Sequence, residues 1–181
     1  MKKIALAAVI ALASGVVAAA DFANLDIDHV RDMKNNNMSN AHYLRVGKQV
    51  SGFQLGAQAR TQVWNEGGMG NSIEVTAGKA IGAVTPFVGV GFDNGYNGVK
   101  NADYQYGLLG ATTGMKVGPG FALAGLKTRV GTTASTETKQ TVAFATYSIP
   151  VSKGVDIRLN VSKSYQDIRE NAYGVGVGFS F

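Results

Sequence analysis

The chain ends in Ala172-Tyr-Gly-Val-Gly-Val-Gly-Phe-Ser-Phe181, where large apolar side chains alternate with glycine or serine. This alternation is typical of a β-strand, because successive side chains of a strand point to opposite faces. One face of the segment is apolar and the other is almost bare. A terminal strand with such a face has to be covered, so the sequence predicts that it lies against protein or lipid.

Nine further segments alternate in the same way, and with the last strand they predict ten strands, with eight as the alternative count. They are residues 22–28, 42–50, 53–64, 72–80, 85–92, 104–116, 121–131, 140–149 and 155–163. The facing is unclear in two of them: Leu108 and Leu109 are adjacent in 104–116, and 140–149 is apolar on both faces. No apolar run after residue 20 is long enough for a membrane helix.

The connections between these segments also alternate in length. Short turns lie at 51–52, 81–83, 117–120 and 151–154, and longer polar stretches occupy 29–41, 65–71, 93–103, 132–139 and 165–170. Short periplasmic turns and longer extracellular loops are typical of a bacterial outer-membrane barrel. A closed barrel also pairs every backbone N–H and C=O in hydrocarbon. We therefore predict an all-β fold, a closed antiparallel up-and-down transmembrane barrel.

Residues 1–20 have the three-part pattern of a secretory signal peptide. Lys2 and Lys3 precede an apolar run from 4 to 17, and Ala18-Ala19-Ala20 provides a cleavage site before Asp21. We expect Sec export and cleavage, which leaves residues 21–181 as the barrel domain. The predicted location is the outer membrane of a Gram-negative bacterium.

Composition excludes several other classes of protein. The chain has 17 basic and 12 acidic residues, and without Lys2 and Lys3 the balance is 15 to 12. This near-neutral and unclustered charge predicts no binding of nucleic acid. There is no cysteine, so disulfide bonds contribute nothing to rigidity.

Most charges on strands of clear facing fall opposite the apolar side chains. An Arg or Lys facing lipid at mid-depth would cost about 2–4 kcal/mol, whereas charges in a narrow lumen can pair with one another. Lys48, Lys79 and Lys163 lie on the apolar face, but near strand ends where a long side chain can reach the interface. The sequence therefore predicts a charge network in the lumen, formed by Asp26, Asp28, Arg45, Arg60, Glu74, Lys127, Arg129, Asp156 and Arg158.

Aromatic residues concentrate near the predicted strand ends, as expected for girdles at the two membrane interfaces. We expect one girdle at the periplasmic edge and one at the outer edge. The first contains Phe53, Phe179 and Phe181, and the second contains Phe92, Tyr104, Tyr106 and Tyr173.

The final strand resembles the C-terminal signature of outer-membrane β-barrel proteins, in which the assembly machinery recognises this strand. The matching positions are Tyr173, Val175, Val177, Phe179 and Phe181. With the signal peptide and the strand pattern, the chain resembles the small barrels of the OmpA-transmembrane and OmpX type, although no motif identifies a subfamily. The resemblance implies a monomer whose partners are outer-membrane lipid, lipopolysaccharide and, during biogenesis, the barrel assembly machinery.

No motif predicts chemistry. The glycines at 174, 176 and 178 and those in 89–95 lack the spacing of a phosphate-binding loop. His29 and His42 lie near Asp26, Asp28 and Ser39, and this arrangement could suggest a catalytic or metal site. We interpret both histidines as residues at a loop edge, and we predict no catalytic, cofactor-binding or metal-binding residues.

The favoured function is that of a non-enzymatic scaffold whose lumen is filled by side chains and whose loops face outward. We also expect Lys163, at the outer rim, to contact lipopolysaccharide phosphates. The alternatives are a narrow, weakly selective pore, a lipid A-modifying or proteolytic enzyme, and a soluble lipid-binding barrel. The pore would be lined by Arg60, Glu74, Arg129 and Arg158.

Overall fold

The computed structural model describes residues 21–34, 36–65, 67–94, 104–131 and 139–181, and the predicted signal peptide lies outside them. The described chain forms a closed barrel in which every strand is antiparallel to its sequence neighbours and β1 pairs with β10. No helix in this part of the chain is long and apolar enough to cross a membrane. The strands are β1 Phe22–Asp32, β2 Met38–Val50, β3 Phe53–Trp64, β4 Met69–Lys79, β5 Val84–Asn94, β6 Tyr104–Val117, β7 Gly120–Gly131, β8 Lys139–Ser152, β9 Val155–Gln166 and β10 Glu170–Ser180.

The predicted barrel fold is thereby confirmed, and ten is the correct number of strands. Every strand exposes large apolar side chains on its outer face; Val90 is 66% exposed and Leu109 is 62% exposed. Polar side chains face the lumen, as in Asp26 and Asn160. An apolar exterior around a polar interior is the arrangement that a barrel adopts in hydrocarbon.

The structure resolves the facing of the two ambiguous strands. In β6, Leu108 is 5% exposed inside the barrel and Leu109 faces outward. In β8, Phe144 faces the lumen between its register partners Gly125 and Ser162. Tyr147 faces outward, and its hydroxyl donates to the carbonyl oxygen of Val117 at 2.9 Å.

The expectation that Tyr106 belongs to the outer aromatic girdle is wrong. Tyr106 has the same parity as Leu108, so it faces the lumen, where it is 1% exposed. Phe92 and Tyr173 do lie on the outer face near the loop end of their strands, and Phe53 and Phe179 lie on the outer face near the turn end. The side chain of Tyr104 is outside the described part of the structure.

The long first loop predicted at 29–41 is also wrong, because β1 and β2 extend through most of it and leave only 33–37 as a connection. His29 and Asn40 face outward here, so the outer face lacks the apolar side chains from which the other strands were predicted. The inward residues Val30 and Ala41 continue it, and both are buried. Polar outward residues are tolerated because this part of the wall lies beyond the apolar band.

Two other predicted loops are shorter than expected, with connections at 65–68 and 167–169. The long stretches 93–103 and 132–139 lie largely outside the described residues. At the opposite end the four short turns are present, and each contains a glycine with positive φ: Gly52, Gly82, Gly118 and Gly154, at 80°, 61°, 55° and 71°. A left-handed residue lets the chain reverse within so short a connection.

We predict that an arginine on the outer face destabilises the barrel in proportion to its depth. Val88→Arg, in the middle of β5, should lower the free energy of unfolding by about 2–4 kcal/mol in lipid, because the guanidinium enters hydrocarbon. Val84→Arg, on the same face at the turn end, is the matched control and should cost about 0–1 kcal/mol. Denaturant titration in vesicles measures both; equal losses would contradict the depth assignment.

Candidate functional site in the barrel lumen

Asp26 is the centre of one cluster of lumen charges. Its side chain is fully buried and forms an ion pair with Arg45 of β2. From β9, the guanidinium of Arg158 donates to Oδ1 of Asp26 at 3.1 Å, and Nδ2 of Asn160 donates to the same oxygen at 2.9 Å. Arg45 also donates to Oε1 of Gln58 at 2.8 Å. A buried carboxylate needs such donors, because its charge is removed from water.

The bare face of β10 makes this cluster possible. β10 lies between β1 and β9, and Gly174, Gly176 and Gly178 turn their empty side toward the lumen. A Cβ atom at Gly176 would collide with Oδ1 of Asp26, and one at Gly174 would collide with the carboxylate of Asp28. The acids of β1 therefore occupy the space above β10, and Asp26 reaches across it to β9.

Glu74 is the centre of a second cluster, on the opposite side of the lumen. Nζ of Lys127 lies 2.7 Å from Oε1 of Glu74, and Nη2 of Arg129 lies 2.7 Å from Oε2. Arg129 also donates to Oε1 of Gln140 at 2.9 Å. The hydroxyl of Tyr106 donates to Oε2 of Glu74 at 3.3 Å, and its ring lies over Gly91. Two cations around one carboxylate leave this cluster with a formal charge of +1.

The remaining predicted lumen residues form no further cluster. Arg60 pairs with Asp93 at 2.9 Å. Asp28 and Asp156 each bury one carboxylate oxygen that has no hydrogen-bond partner within the described residues. The structure thus places all nine predicted residues on the inner face and brings Asp26, Arg45 and Arg158 together, and separately Glu74, Lys127 and Arg129. Any functional role for the set stays a prediction.

Sequence reasoning missed several members of these clusters. Asp93 was assigned to a loop, although it is the register partner of Ser72 and continues the inward parity of Gly89 and Gly91. That parity was a signal that could have found it. The inward position of Asn160 follows from the alternation in 155–163, but its contact with Asp26 could not be predicted, because the contact spans β10 and depends on glycines of a third strand.

The lumen differs between its two ends. In the half next to the loops, every strand contributes a buried inward side chain: Val30, Ala41, Gln62, Ser72, Asp93, Tyr106, Arg129, Gln140, Ser164 and Ala172. Toward the turns, inward residues are exposed, including Phe22, Gln54, Lys116 and Phe121. A cavity of about 690 Å³ lies within, and its lining extends from Gln54 and Ser180 near the turns to Gln140 and Glu170 near the loops.

The two histidines face away from the lumen. Nδ1 of His29 lies 3.1 Å from Oδ1 of Asn40. On the outer surface, the centroid of the His29 ring lies 5.4 Å from the centroid of the Tyr173 ring. Ser39 faces inward, and Nε2 of Gln62 donates to its hydroxyl at 2.7 Å. The strand alternation thus separates these residues into opposite faces of the wall. Among the described residues, no three His, Asp or Glu side chains are grouped to hold a metal ion.

The residues of the predicted insertion signal form the outer face of β10. Tyr173, Val175 and Val177 are exposed on this face, and Phe181 follows the strand with 73% exposure. The backbone N–H of Phe181 donates to the carbonyl oxygen of Asp21 at 3.1 Å, which joins the two ends of the described barrel.

We predict that filling the bare face of β10 disrupts the Asp26 cluster. Gly176→Ala should lower the free energy of unfolding by about 1–3 kcal/mol, because the added methyl group displaces a buried, ion-paired carboxylate. Gly107→Ala, on β6, is the matched control: nothing lies within 4 Å of its Cβ position, so the loss should stay below about 0.5 kcal/mol. Denaturant unfolding measures both, and indistinguishable losses would contradict the role of β10.

Comparisons with known proteins identify the fold. No protein-family model matches the sequence, and no curated protein matches it. The β domain of the Bordetella autotransporter BrkA is 12% identical over 90% of this chain and 99% of that chain, with a TM-score of 0.52. The NanC porin is 9% identical over 87% of this chain and 100% of that chain, with a TM-score of 0.50. Identities this low indicate a shared architecture. The chain therefore has the fold of the outer-membrane β-barrel proteins, the class that its final strand indicated.

Proposed function

We propose that the chain is an outer-membrane scaffold whose lumen is sealed on the side of the loops. The observation that carries the proposal is the layer of buried inward side chains to which all ten strands contribute. Gln62, Asp93 and Gln140 are each at most 3% exposed. Polar side chains of this size beside a continuous column of water would be wetted, so their burial supports a closed lumen.

The hydrogen bonds of this layer support a fixed closure. Arg129 links Glu74 on β4 to Gln140 on β8, and its guanidinium carbon lies 5.1 Å from the centroid of the Tyr106 ring. A buried charge held by several partners is costly to displace, because any partner that it leaves becomes an unpaired buried group. A scaffold of this kind acts through its outward loops.

We predict that the unaltered barrel is electrically silent and that Tyr106→Ala opens it. Removing the Tyr106 ring, which lies over Gly91, should leave a gap beside the Glu74 cluster and give discrete, salt-dependent current steps in a planar bilayer. Phe121→Ala is the matched control, because Phe121 lies over Gly114 at the open end and should remain silent. Each preparation first has to show the heat-modifiable gel mobility of a folded barrel. Discrete openings in the unaltered protein would overturn the proposal.

A narrow pore is the second candidate, and the length of the cavity favours it. Its lining includes Arg60, Glu74, Arg129 and Arg158, the residues expected to line such a path. The conductance measurement decides between the two, since a pore would conduct without any substitution.

The expected lack of enzymatic activity is part of the proposal. His29 and His42 face outward, whereas Ser39, Asp26 and Asp28 face the lumen. A nucleophile and a base have to lie within hydrogen-bond reach of each other, and opposite faces of one sheet do not allow this.

We further propose that the protein is exported through its signal peptide and inserted through its final strand. The apolar outer face of β10 and the exposed Phe181 support recognition by the assembly machinery. Deleting Phe181 should reduce the amount of heat-modifiable protein in the outer membrane, as measured by gel mobility of membrane fractions. Ser180→Ala is a suitable control, because it preserves the terminal aromatic residue. A normal level of the shortened protein would contradict this role.

Lipopolysaccharide is the proposed lipid partner. Lys163 faces outward near the loop end of β9, and its Nζ lies 5.5 Å from the centroid of the Tyr165 ring. This position suits contact with a lipid phosphate. Lys163→Ala should reduce the lipopolysaccharide that copurifies with the barrel, whereas Lys79→Ala, at the opposite rim, should not. Equal amounts with both variants would remove the basis for the contact.

A further inference from the structure

The two sides of the lumen differ in chemistry. One side, formed by β9, β10 and β1–β3, carries the Asp26 cluster and other polar residues. The other side has four large apolar side chains, Phe87, Leu123, Val142 and Phe144, interspersed with Thr76, Thr85, Thr112 and Thr146, and all of them line the cavity. A lumen that only held water would gain nothing from such a surface, since apolar side chains exposed to water are unfavourable.

Glycines of neighbouring strands hold this apolar surface in place. The Phe87 ring lies against Gly110 of β6, and the Phe144 ring lies against Gly125 of β7. A Cβ atom at either glycine would collide with the ring. The rings are therefore flattened onto the barrel wall, and the space in front of Leu123 stays open.

The cavity lining contains six basic residues, Arg45, Lys48, Arg60, Lys127, Arg129 and Arg158, and five acidic ones, Asp21, Asp28, Glu74, Asp156 and Glu170, so it has a formal excess of one positive charge. Asp26 and Asp93 lie behind their partners and do not line the cavity, whereas Arg45, Arg60 and Arg158 do. The side chain of Arg45 is 27% exposed while that of Asp26 is fully buried. Of the lining acids, Asp28 and Glu74 are each 5% exposed, and Glu74 is paired with two cations. A negative head group next to Arg45 would meet an exposed guanidinium whose own carboxylate partner is buried.

The cationic and apolar groups lie at suitable heights along the barrel. On β7, the inward residues run from Leu123 near the turns through Gly125 to Lys127 near the middle. Lys127 and Arg45 both line the cavity. An alkyl chain lying along Leu123 and Phe144 would place its head group near Lys127, on the same face of β7. The exposed Phe22 and Phe121 at the open end provide an apolar entrance.

We propose that the lumen is a binding site for a single-chain amphiphile with an anionic head group, such as an alkyl carboxylate, which enters from the turn end. The cavity of about 690 Å³ is within the range of about 300–1,000 Å³ typical of ligand pockets. Its lining combines apolar side chains with convergent charged groups, and both kinds of group occur in such pockets. The site lies on the turn side of the sealing layer and is accessible whether or not the barrel conducts.

The test uses the unaltered barrel in lipid nanodiscs with labelled leucine and valine methyl groups, titrated with sodium decanoate. The methyl resonances of Leu123 and Val142, which line the cavity, should shift and saturate. Those of Leu126 and Val130, on the lipid face of β7, should change only in proportion to decanoate dissolved in the bilayer. Lumen resonances that do not shift, or that only follow the lipid-facing ones, would overturn the proposal.

Two further titrants test the two halves of the ligand without any substitution. Decyltrimethylammonium has a similar chain and a positive head group, and it should cause no saturable shift in the lumen; binding as tight as that of decanoate would overturn the anionic assignment. Octanoate should bind about tenfold more weakly than decanoate, because each buried methylene group contributes about a threefold to fourfold change in affinity. Equal saturable affinities would overturn the apolar contact.

Substitutions then locate the site. Leu123→Gln should weaken decanoate binding about tenfold, read from the Val142 methyl groups, since it replaces apolar contact by a polar side chain of similar size. Leu126→Ala, on the lipid face, is the control and should leave the affinity unchanged. An unchanged affinity in a folded Leu123→Gln barrel would overturn the proposed position. If that variant does not fold, the chain-length series in the unaltered barrel still tests the apolar contact.

Discussion

Asp26 and Glu74 are buried in this lumen with two cations each, and much of the arrangement of the barrel follows from the need to pair such charges. The outer face is surrounded by hydrocarbon, so the charged side chains of the strand centres have to point inward. Inside, a lone carboxylate would lose its hydration without compensation. Asp26 and Glu74 meet this requirement by gathering two cations each, and the strands that supply those cations are thereby held in one register. Part of the polar interior is therefore organised into two specific clusters, around Asp26 and around Glu74.

The general fold was predictable because it depends on the alternation of apolar and polar side chains along the strands, on the signal-peptide pattern and on the pattern of the final strand. Alternation along ten segments favoured ten strands over the alternative of eight, and the inward parity of Asp26, Arg45 and Glu74 followed directly. The predictions failed where the environment of a strand changes along its length. Near the loops, His29 and Asn40 face outward while the buried Val30 and Ala41 face inward, and a strand whose outer face is polar is easily taken for a loop. Tyr106 was misplaced for a related reason, since an aromatic residue near a strand end suits either a girdle or a packed lumen.

The pairing inside the lumen could not be predicted from the sequence. The contact between Asp26 and Asn160 joins residues far apart in the chain, and it exists because the strand between them has no side chains in the way. Likewise, the flat position of Phe144 depends on Gly125 of the neighbouring strand. The glycines of this barrel thus act by leaving space for the side chains of neighbouring strands. Glycine inside a strand is usually expected to weaken the strand. That expectation does not reveal the space that these glycines leave for other side chains, because the residues next to each glycine depend on the register between strands.

The empty inner face of β10 also bears on how the barrel resists lateral opening. The seam between β1 and β10 is the junction at which the first and last strands close the sheet into a barrel. In most sheets, only backbone hydrogen bonds would join two strands at such a junction. Here Asp26 on β1 passes over β10 and binds Arg158 and Asn160 on β9. Separating the seam would therefore also break a buried ion pair that belongs to the strand beyond it. β10 is therefore held between β1 and β9, which are joined to each other by side-chain contacts inside the lumen. These contacts stabilise the closed barrel.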